Sequence, residues 1–170
     1  TIINGDFEQG HVGWMEYSTH GWDIILTEAD SPILAHGGSW LAWLGGDVND
    51  TSYVSQSITI PSGMPYLHYW YWIGSEDVCG YDYFRIKVGS TTVRTKDLCD
   101  PQNTGGWVEG VLNLSSYAGT TNTLKFEVTT DGSGNSNLFF DDVSFSGTAS
   151  AYEGVVIPDY VNYDLVISER

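Results

Sequence analysis

Apolar residues in this chain come in short alternating runs, about one every ten residues, each closed by Gly, Pro, Asn, Asp or Ser. No window keeps a 3.6-residue apolar period long enough to make a helix. Such a chain can bury its apolar side chains only by stacking sheets. Strands are expected near 2–8, 12–17, 22–27, 39–44, 53–60, 66–74, 82–88, 92–98, 107–114, 123–130 and 138–145. With 170 residues there is enough chain for one such core and too little for two. The pattern predicts an all-β fold, a two-sheet antiparallel jelly-roll β-sandwich.

Several strand faces can be read directly. Phe84, Ile86 and Val88 share one face, and Tyr83, Arg85 and Lys87 the other. Leu124, Phe126 and Val128 likewise oppose Lys125, Glu127 and Thr129, while Ile58 and Ile60 alternate with Ser57 and Thr59. The stretch 66–73 breaks this rule because it is bulky on both faces. It is expected to be a central strand whose second face is covered by the rest of the fold, a ligand or another chain. The 20 Gly, 11 Tyr and 7 Trp, with no segment rich in Ala, Leu, Glu and Lys, agree with strands and turns.

Charge narrows the partners. Six Lys+Arg against 22 Asp+Glu leave a net charge of −16, so nucleic acid and anionic membrane surfaces are repelled. No run is apolar enough for membrane insertion as a helix. Most of the acids are expected to be solvated surface charge, and the few that cluster are candidates for cation binding. Cys79 and Cys99, each bracketed by strand-like sequence, are expected to form one cross-strand disulfide, as in an extracellular or cell-surface protein. Two glycosylation sequons, Asn49-Asp50-Thr51 and Asn113-Leu114-Ser115, are weak signals in the same direction. A chain opening at Thr1 without Met is expected of a processed or excised sequence.

Two motifs stand at opposite ends of the core. Near the start is Asn4-Gly5-Asp6-Phe7-Glu8-Gln9-Gly10, followed by Gly13-Trp14; near the end is 138–145, Leu-Phe-Phe-Asp-Asp-Val-Ser-Phe. If the first and last strands lie side by side, carboxylates from both, with backbone carbonyls, could supply the six to eight oxygen ligands of calcium. The plain alternative is that Asp6, Glu8 and Asp141 are ordinary edge acids.

These motifs, with the middle segment "VCGYDYFRIKV…DLC…GWVEGVLNLSSYAG", resemble bacterial jelly-roll modules of the carbohydrate-binding-module and MAM-like group, as found on secreted peptidases and glycosidases. The likeness spans about residues 4–146. It implies a structural calcium held by Glu8 and Asp141, with Asp6 at a variable position and Ser39 adding a carbonyl. A second acidic group, Glu76, Asp77 and Asp82, surrounds Cys79, and "CGYDY" resembles part of the CUB-domain pattern, in which such a cluster binds calcium. The rest of the chain does not follow CUB spacing, and a solvated acidic loop is the competing reading. Candidate aromatic platforms for sugar rings are Trp22, Trp43, Tyr53, Trp70, Trp72 and Tyr81, each with core or rim packing as its alternative.

Catalysis finds no motif: G-x-S-x-G, H-E-x-x-H and the P-loop are all lacking, and His11, His20, His36 and His68 are scattered. The domain is expected over 1–146, with 147–170 a linker plus an amphipathic strand-forming tail. Val161, Tyr163, Leu165 and Ile167 share one parity in that tail, which a plain linker does not require. The expected function is an extracellular, non-catalytic, calcium-stabilised module for binding or adhesion, with carbohydrate or an extracellular protein as partner. The alternative is a self-assembling filament or surface subunit, in which strand 155–167 complements an identical neighbour.

Overall fold

The computed structural model describes residues 1–149 and 169–170. Among the described residues ten strands form: β1 (Met15–Ser18), β2 (Ile25–Thr27), β3 (Trp40–Gly45), β4 (Thr51–Thr59), β5 (Tyr66–Ser75), β6 (Tyr83–Val88), β7 (Thr91–Asp97), β8 (Val108–Asn113), β9 (Thr121–Thr129) and β10 (Ser136–Ser146). They make two five-stranded sheets. Sheet I runs β1-β4-β9-β6-β7 and sheet II runs β2-β3-β10-β5-β8. Every pairing is antiparallel. The jelly-roll sandwich expected from the alternating runs is the fold observed.

The alternating strands bury the residues their parity assigns. Phe84, Ile86, Leu124, Phe126 and Val128 are all fully buried between the sheets. Sheet II presents Ala42, Leu44, Leu67, Tyr69, Tyr71, Ile73, Leu138 and Phe140 to the same core. At its centre Phe126 of β9 stacks on Phe140 of β10, with ring centroids 4.7 Å apart at 19°.

Segment 2–8, expected as a strand, is instead a turn-rich plug. Asn4 and Phe7 hold positive φ (52° and 55°), outside the extended region of a regular strand. Asn4 organises the turn: its Nδ2 donates to the carbonyls of Gly10 (2.8 Å) and Val12 (3.0 Å), and its Oδ1 accepts from the Gln9 amide (2.9 Å). Trp14 Nε1 closes the loop by donating to the Asn4 carbonyl at 2.8 Å. Phe7 then enters the core, 5.5 Å from the Trp14 ring and 5.4 Å from Phe140. Gly5 lies so close to β10 that a Cβ would stand 2.0 Å from the Val143 carbonyl oxygen.

The expected pairing of first with last strand is therefore corrected. β1 pairs with β4 in sheet I, while β10 sits in the middle of sheet II between β3 and β5. The plug touches β10 where the latter bulges between Asp141 and Ser144, through a 2.8 Å bond from the Val143 amide to the Gly5 carbonyl.

The two-faced strand at 66–73 is also explained. Its inward side chains join the main core, and its outward Trp70 and Trp72 join a second cluster with Ile33, Leu41, Trp43, Trp107 and Phe139. Loop residues 33–35 and Trp107 roof that face, so the chain supplies its own cover. Cys79 and Cys99 form the expected disulfide, with Cα atoms 4.9 Å apart, but between the β5–β6 loop and the end of β7 rather than across a strand pair. The strand expected at 155–167 lies outside the described residues.

Phe126 touches more core rings than its neighbours, lying within 6.4 Å of Trp14, Tyr69, Phe84 and Phe140. Phe126→Ala is expected to cost about 3–5 kcal/mol, read by urea denaturation. The exposed Thr123→Ala on the same strand should stay within about 0.5 kcal/mol of the parent.

Candidate functional site

Glu8 and Asp141 grip one loop from two sides. Glu8 Oε1 accepts hydrogen bonds from the amides of Ser39 and Trp40, both at 2.8 Å. Asp141 Oδ2 accepts from the amides of His36 (3.0 Å) and Gly37 (3.1 Å), and its Oδ1 from Asp142 (2.7 Å). Residues 36–40 thus enter β3 with a carboxylate at each end. Burial pushes the Asp141 carboxyl up to about 8, against the amide bonds that pull it down. Ser39 offers its amide to Glu8, while its carbonyl accepts from the Glu28 amide at 2.9 Å. Asp6 is exposed on the rim of a shallow hollow shared with Gln9 and Asp142.

The second acidic group assembles differently from its sequence neighbours. Asp77 and Asp82 come together, but their third partner is Asp131 from the β9–β10 loop; ligand atoms of the three lie within 4.8 Å of one another. Glu76 turns aside, and its Oε1 accepts from the Asn135 amide at 3.2 Å. Asp131 was not singled out from sequence. Its signal was the turn Asp131-Gly132-Ser133-Gly134-Asn135, which alternates oxygen-bearing side chains with glycine.

The aromatic candidates divide by burial. Trp72 and Trp43 are 2% and 6% exposed, so neither presents a ring face to a ligand. Trp43 carries a further cover, since the Arg170 guanidinium lies over its ring at 4.1 Å and bonds its carbonyl oxygen. Trp70 is stacked under His36, with centroids 4.0 Å apart at 15°. Trp22 and Tyr81 are exposed on loops, Trp22 with its Nε1 donating to Asp47 Oδ2 at 3.4 Å. Tyr53 differs because it lies on the outer face of sheet I beside an aromatic the sequence reading passed over, Tyr17, stacked at 5.1 Å.

That outer face has an order that the pairing register shows. One row across the strands reads Tyr17, Tyr53, Glu127, Arg85, Thr95; the next reads Met15, Ser55, Lys125, Lys87. Lys87 pairs with Glu127 at 2.5 Å, Lys125 lies over the Tyr53 ring at 4.1 Å, and Arg85 Nη1 donates to Thr129 Oγ1 at 2.9 Å. Half of the six Lys and Arg residues in the chain stand on this one face. A groove along it is lined by Met15, Tyr53, Ser55, Ser57, Thr123 and Lys125. No described element covers it.

No family model matches the sequence, and no curated protein matches it. Solved structures do. The K3 cleaved adhesin domain of Lys-gingipain from Porphyromonas gingivalis w83 aligns with a TM-score of 0.61 at 16% identity, over 85% of this chain and 98% of that one. TmCBM61, solved in complex with beta-1,4-galactotriose, aligns with a TM-score of 0.57 at 17% identity, over 84% and 94%. A cyclase from Fischerella sp. TAU aligns with a TM-score of 0.52 at 14% identity, over 89% and 98%. The class these likenesses define is the jelly-roll sandwich of carbohydrate-binding modules and adhesin domains. At such identities they speak for the fold.

Asp141 supplies a local test. An asparagine there would turn an NH2 group toward an amide donor and lose at least one of the three bonds. Asp141→Asn is expected to cost about 1–3 kcal/mol, read by thermal melting in EDTA.

Proposed function

We propose that this chain is an extracellular, non-catalytic binding module whose ligand is carbohydrate and whose ligand surface is the outer face of sheet I. The observation that carries this is the contrast between the two outer faces. Sheet II is roofed by apolar loops, whereas sheet I leaves aromatic, hydroxyl and charged side chains in register along an open groove. A sugar needs both kinds of group: an apolar or aromatic surface for its ring C–H groups, and rigid polar groups for its hydroxyls. Here Tyr53 and Met15 supply the first and Ser55, Ser57, Thr123 and Lys125 the second. The likeness to TmCBM61, solved with a galactotriose, supports this reading.

A non-catalytic role agrees with where the histidines lie. His11, His36 and His68 each pair with a carboxylate, Glu16, Asp142 and Glu109, at three separate places. Among the described residues none of these rings bonds a hydroxyl or thiol. A cyclase shares the fold, so the reading rests on these side chains.

A structural calcium at Glu8 and Asp141 belongs to the same proposal. Both are carboxylates, and although Glu8 Oε1 and Asp141 Oδ2 each accept two amide bonds, Glu8 Oε2 and the second lone pair of Asp141 Oδ1 are left for a hard cation. Such an ion would lock the 36–40 loop to the plug and to β10.

The second reading is self-assembly through the tail. It is favoured by the shared parity of Val161, Tyr163, Leu165 and Ile167, the pattern a strand needs when it adds to a neighbour's sheet. The argument that β5 requires foreign cover no longer supports it, because residues 33–35 and Trp107 provide that cover.

Two measurements separate these readings. On a polysaccharide array, Tyr53→Ala is expected to weaken binding by about tenfold or more, the equivalent of one lost ring contact, while Trp22→Ala leaves it unchanged. Binding that survives Tyr53→Ala but not Trp22→Ala would move the site off sheet I, and an array with no binder would end the carbohydrate reading. Removing residues 151–170 is expected to leave array binding intact. If electron micrographs show filaments that vanish with that deletion, self-assembly is the function.

A further inference from the structure

The three acids brought together beside the disulfide have no counter-charge. Asp77 and Asp82 are 6% and 0% exposed, and Asp131 is half-buried. No described lysine, arginine or histidine pairs with any of them; the cations that form ion pairs with carboxylates lie elsewhere. Each carboxylate spends one oxygen on a backbone amide. Asp77 Oδ1 accepts from Val78 at 2.8 Å, Asp82 Oδ1 from Asp131 at 2.6 Å and Asp131 Oδ1 from Ser133 at 2.8 Å. Those bonds fix the side chains in place. The other oxygens of Asp77 and Asp82 are buried and accept no hydrogen bond.

That arrangement is costly without a ligand. A buried carboxylate oxygen with no partner forfeits its hydration, and ionised groups within 4.8 Å of each other repel. Desolvation raises the Asp82 pKa, the Ser136 hydroxyl and the Asp131 amide offset part of that rise, and the charges of Asp77 and Asp131 add to it. Packing has been adapted to hold the arrangement all the same. Gly134 takes φ +68°, and a Cβ there would stand 2.6 Å from Asp77 Oδ1, so only glycine lets the 131–135 loop close over the cluster.

We propose that Asp77, Asp82 and Asp131 form a calcium site, separate from the Glu8–Asp141 position, that staples two connections between the sheets. Asp77 follows β5 of sheet II and Asp82 precedes β6 of sheet I, while Asp131 follows β9 of sheet I just before β10 of sheet II. An ion among them joins all four strands at one end of the sandwich. The ligand chemistry selects the ion. Every donor is a carboxylate oxygen, no imidazole or free thiol is present, and the nearby cysteines are oxidised to a disulfide. Hard oxygen-only sets suit calcium rather than zinc or copper. The Cys79–Cys99 bridge restrains the same β5–β6 loop, so disulfide and cation act on one segment.

The test uses the whole chain, stripped with EDTA, and calcium alone as probe. Calcium at about one hundred times Kd is expected to raise the melting temperature by about 5–10 °C. Asp82→Asn and the half-buried Asp131→Asn should each lose one bound calcium in isothermal titration. They should also lose this site's share of the thermal increment. Asp30→Asn, an exposed acid on the β2–β3 loop, should keep both. In EDTA, Asp82→Asn should melt no lower than the parent, because the substitution removes a repelling charge; a purely structural carboxylate would instead melt lower. Wild-type calcium stoichiometry in both Asp variants would overturn the proposal, as would an EDTA-stripped parent that takes up no calcium. Neither result bears on carbohydrate binding at sheet I, which is read separately on the array.

Discussion

Phe126 and Phe140 stack face to face across the gap between the two sheets, and most of the fold is arranged around that contact. β9 and β10 carry these rings and are adjacent in sequence. They occupy the middle of different sheets, so the chain must cross the sandwich between them. The stack sets the sheet separation at that point, and Phe7, Trp14, Tyr69 and Phe84 fill in around it. Close packing of this kind leaves little slack: each ring meets neighbours whose own positions are fixed by strand register. The N-terminal plug depends on it as well, since Phe7 has a pocket only because Phe140 and Trp14 form its walls.

Given that core, the outer faces diverge. Sheet II carries bulky side chains on both sides of β3, β5 and β10, so its outer face must be roofed, and residues 33–35 with Trp107 provide the roof. In sheet I, β6 alternates buried and half-buried residues and β9 keeps the same inward parity at Leu124, Phe126 and Val128, so its outer face carries polar groups that can meet water. The proposal of a binding surface on sheet I rests on this asymmetry. Residues that look alike in sequence, such as Tyr53 and Trp72, part company because they stand on different sheets.

The same logic governs the acids. With a net charge of −16, most carboxylates gain from full hydration, and a buried one stands out. Asp141 meets the cost with three backbone amides. Asp77 and Asp82 meet only part of it, each leaving a buried oxygen without a hydrogen bond, and this difference is what the calcium proposal rests on. The charge balance also gives weight to the cations. Arg85, Lys87 and Lys125 on sheet I are positioned by Tyr83, Tyr53 and Glu127 rather than scattered.

Strand alternation and turn residues, local properties of the chain, determined the architecture from the sequence alone: all-β, two sheets, ten of the strands at nearly their observed places, and the disulfide. They failed at 2–8, because a run of mixed polarity does not show that Asn4 and Phe7 take positive φ; that choice is made by Asn4 side-chain bonds and by the pocket for Phe7. Which acids meet was also beyond local reading. Glu76 lies beside Asp77 in sequence yet turns toward Asn135, while Asp131 arrives from a loop about fifty residues away. Which aromatics stay open was decided by sheet assignment and loop cover, since Trp43, Trp70 and Trp72 acquire their neighbours only when the sheets are roofed. Alternation reports which side of a strand is apolar; only the assembled sandwich decides what lies against it.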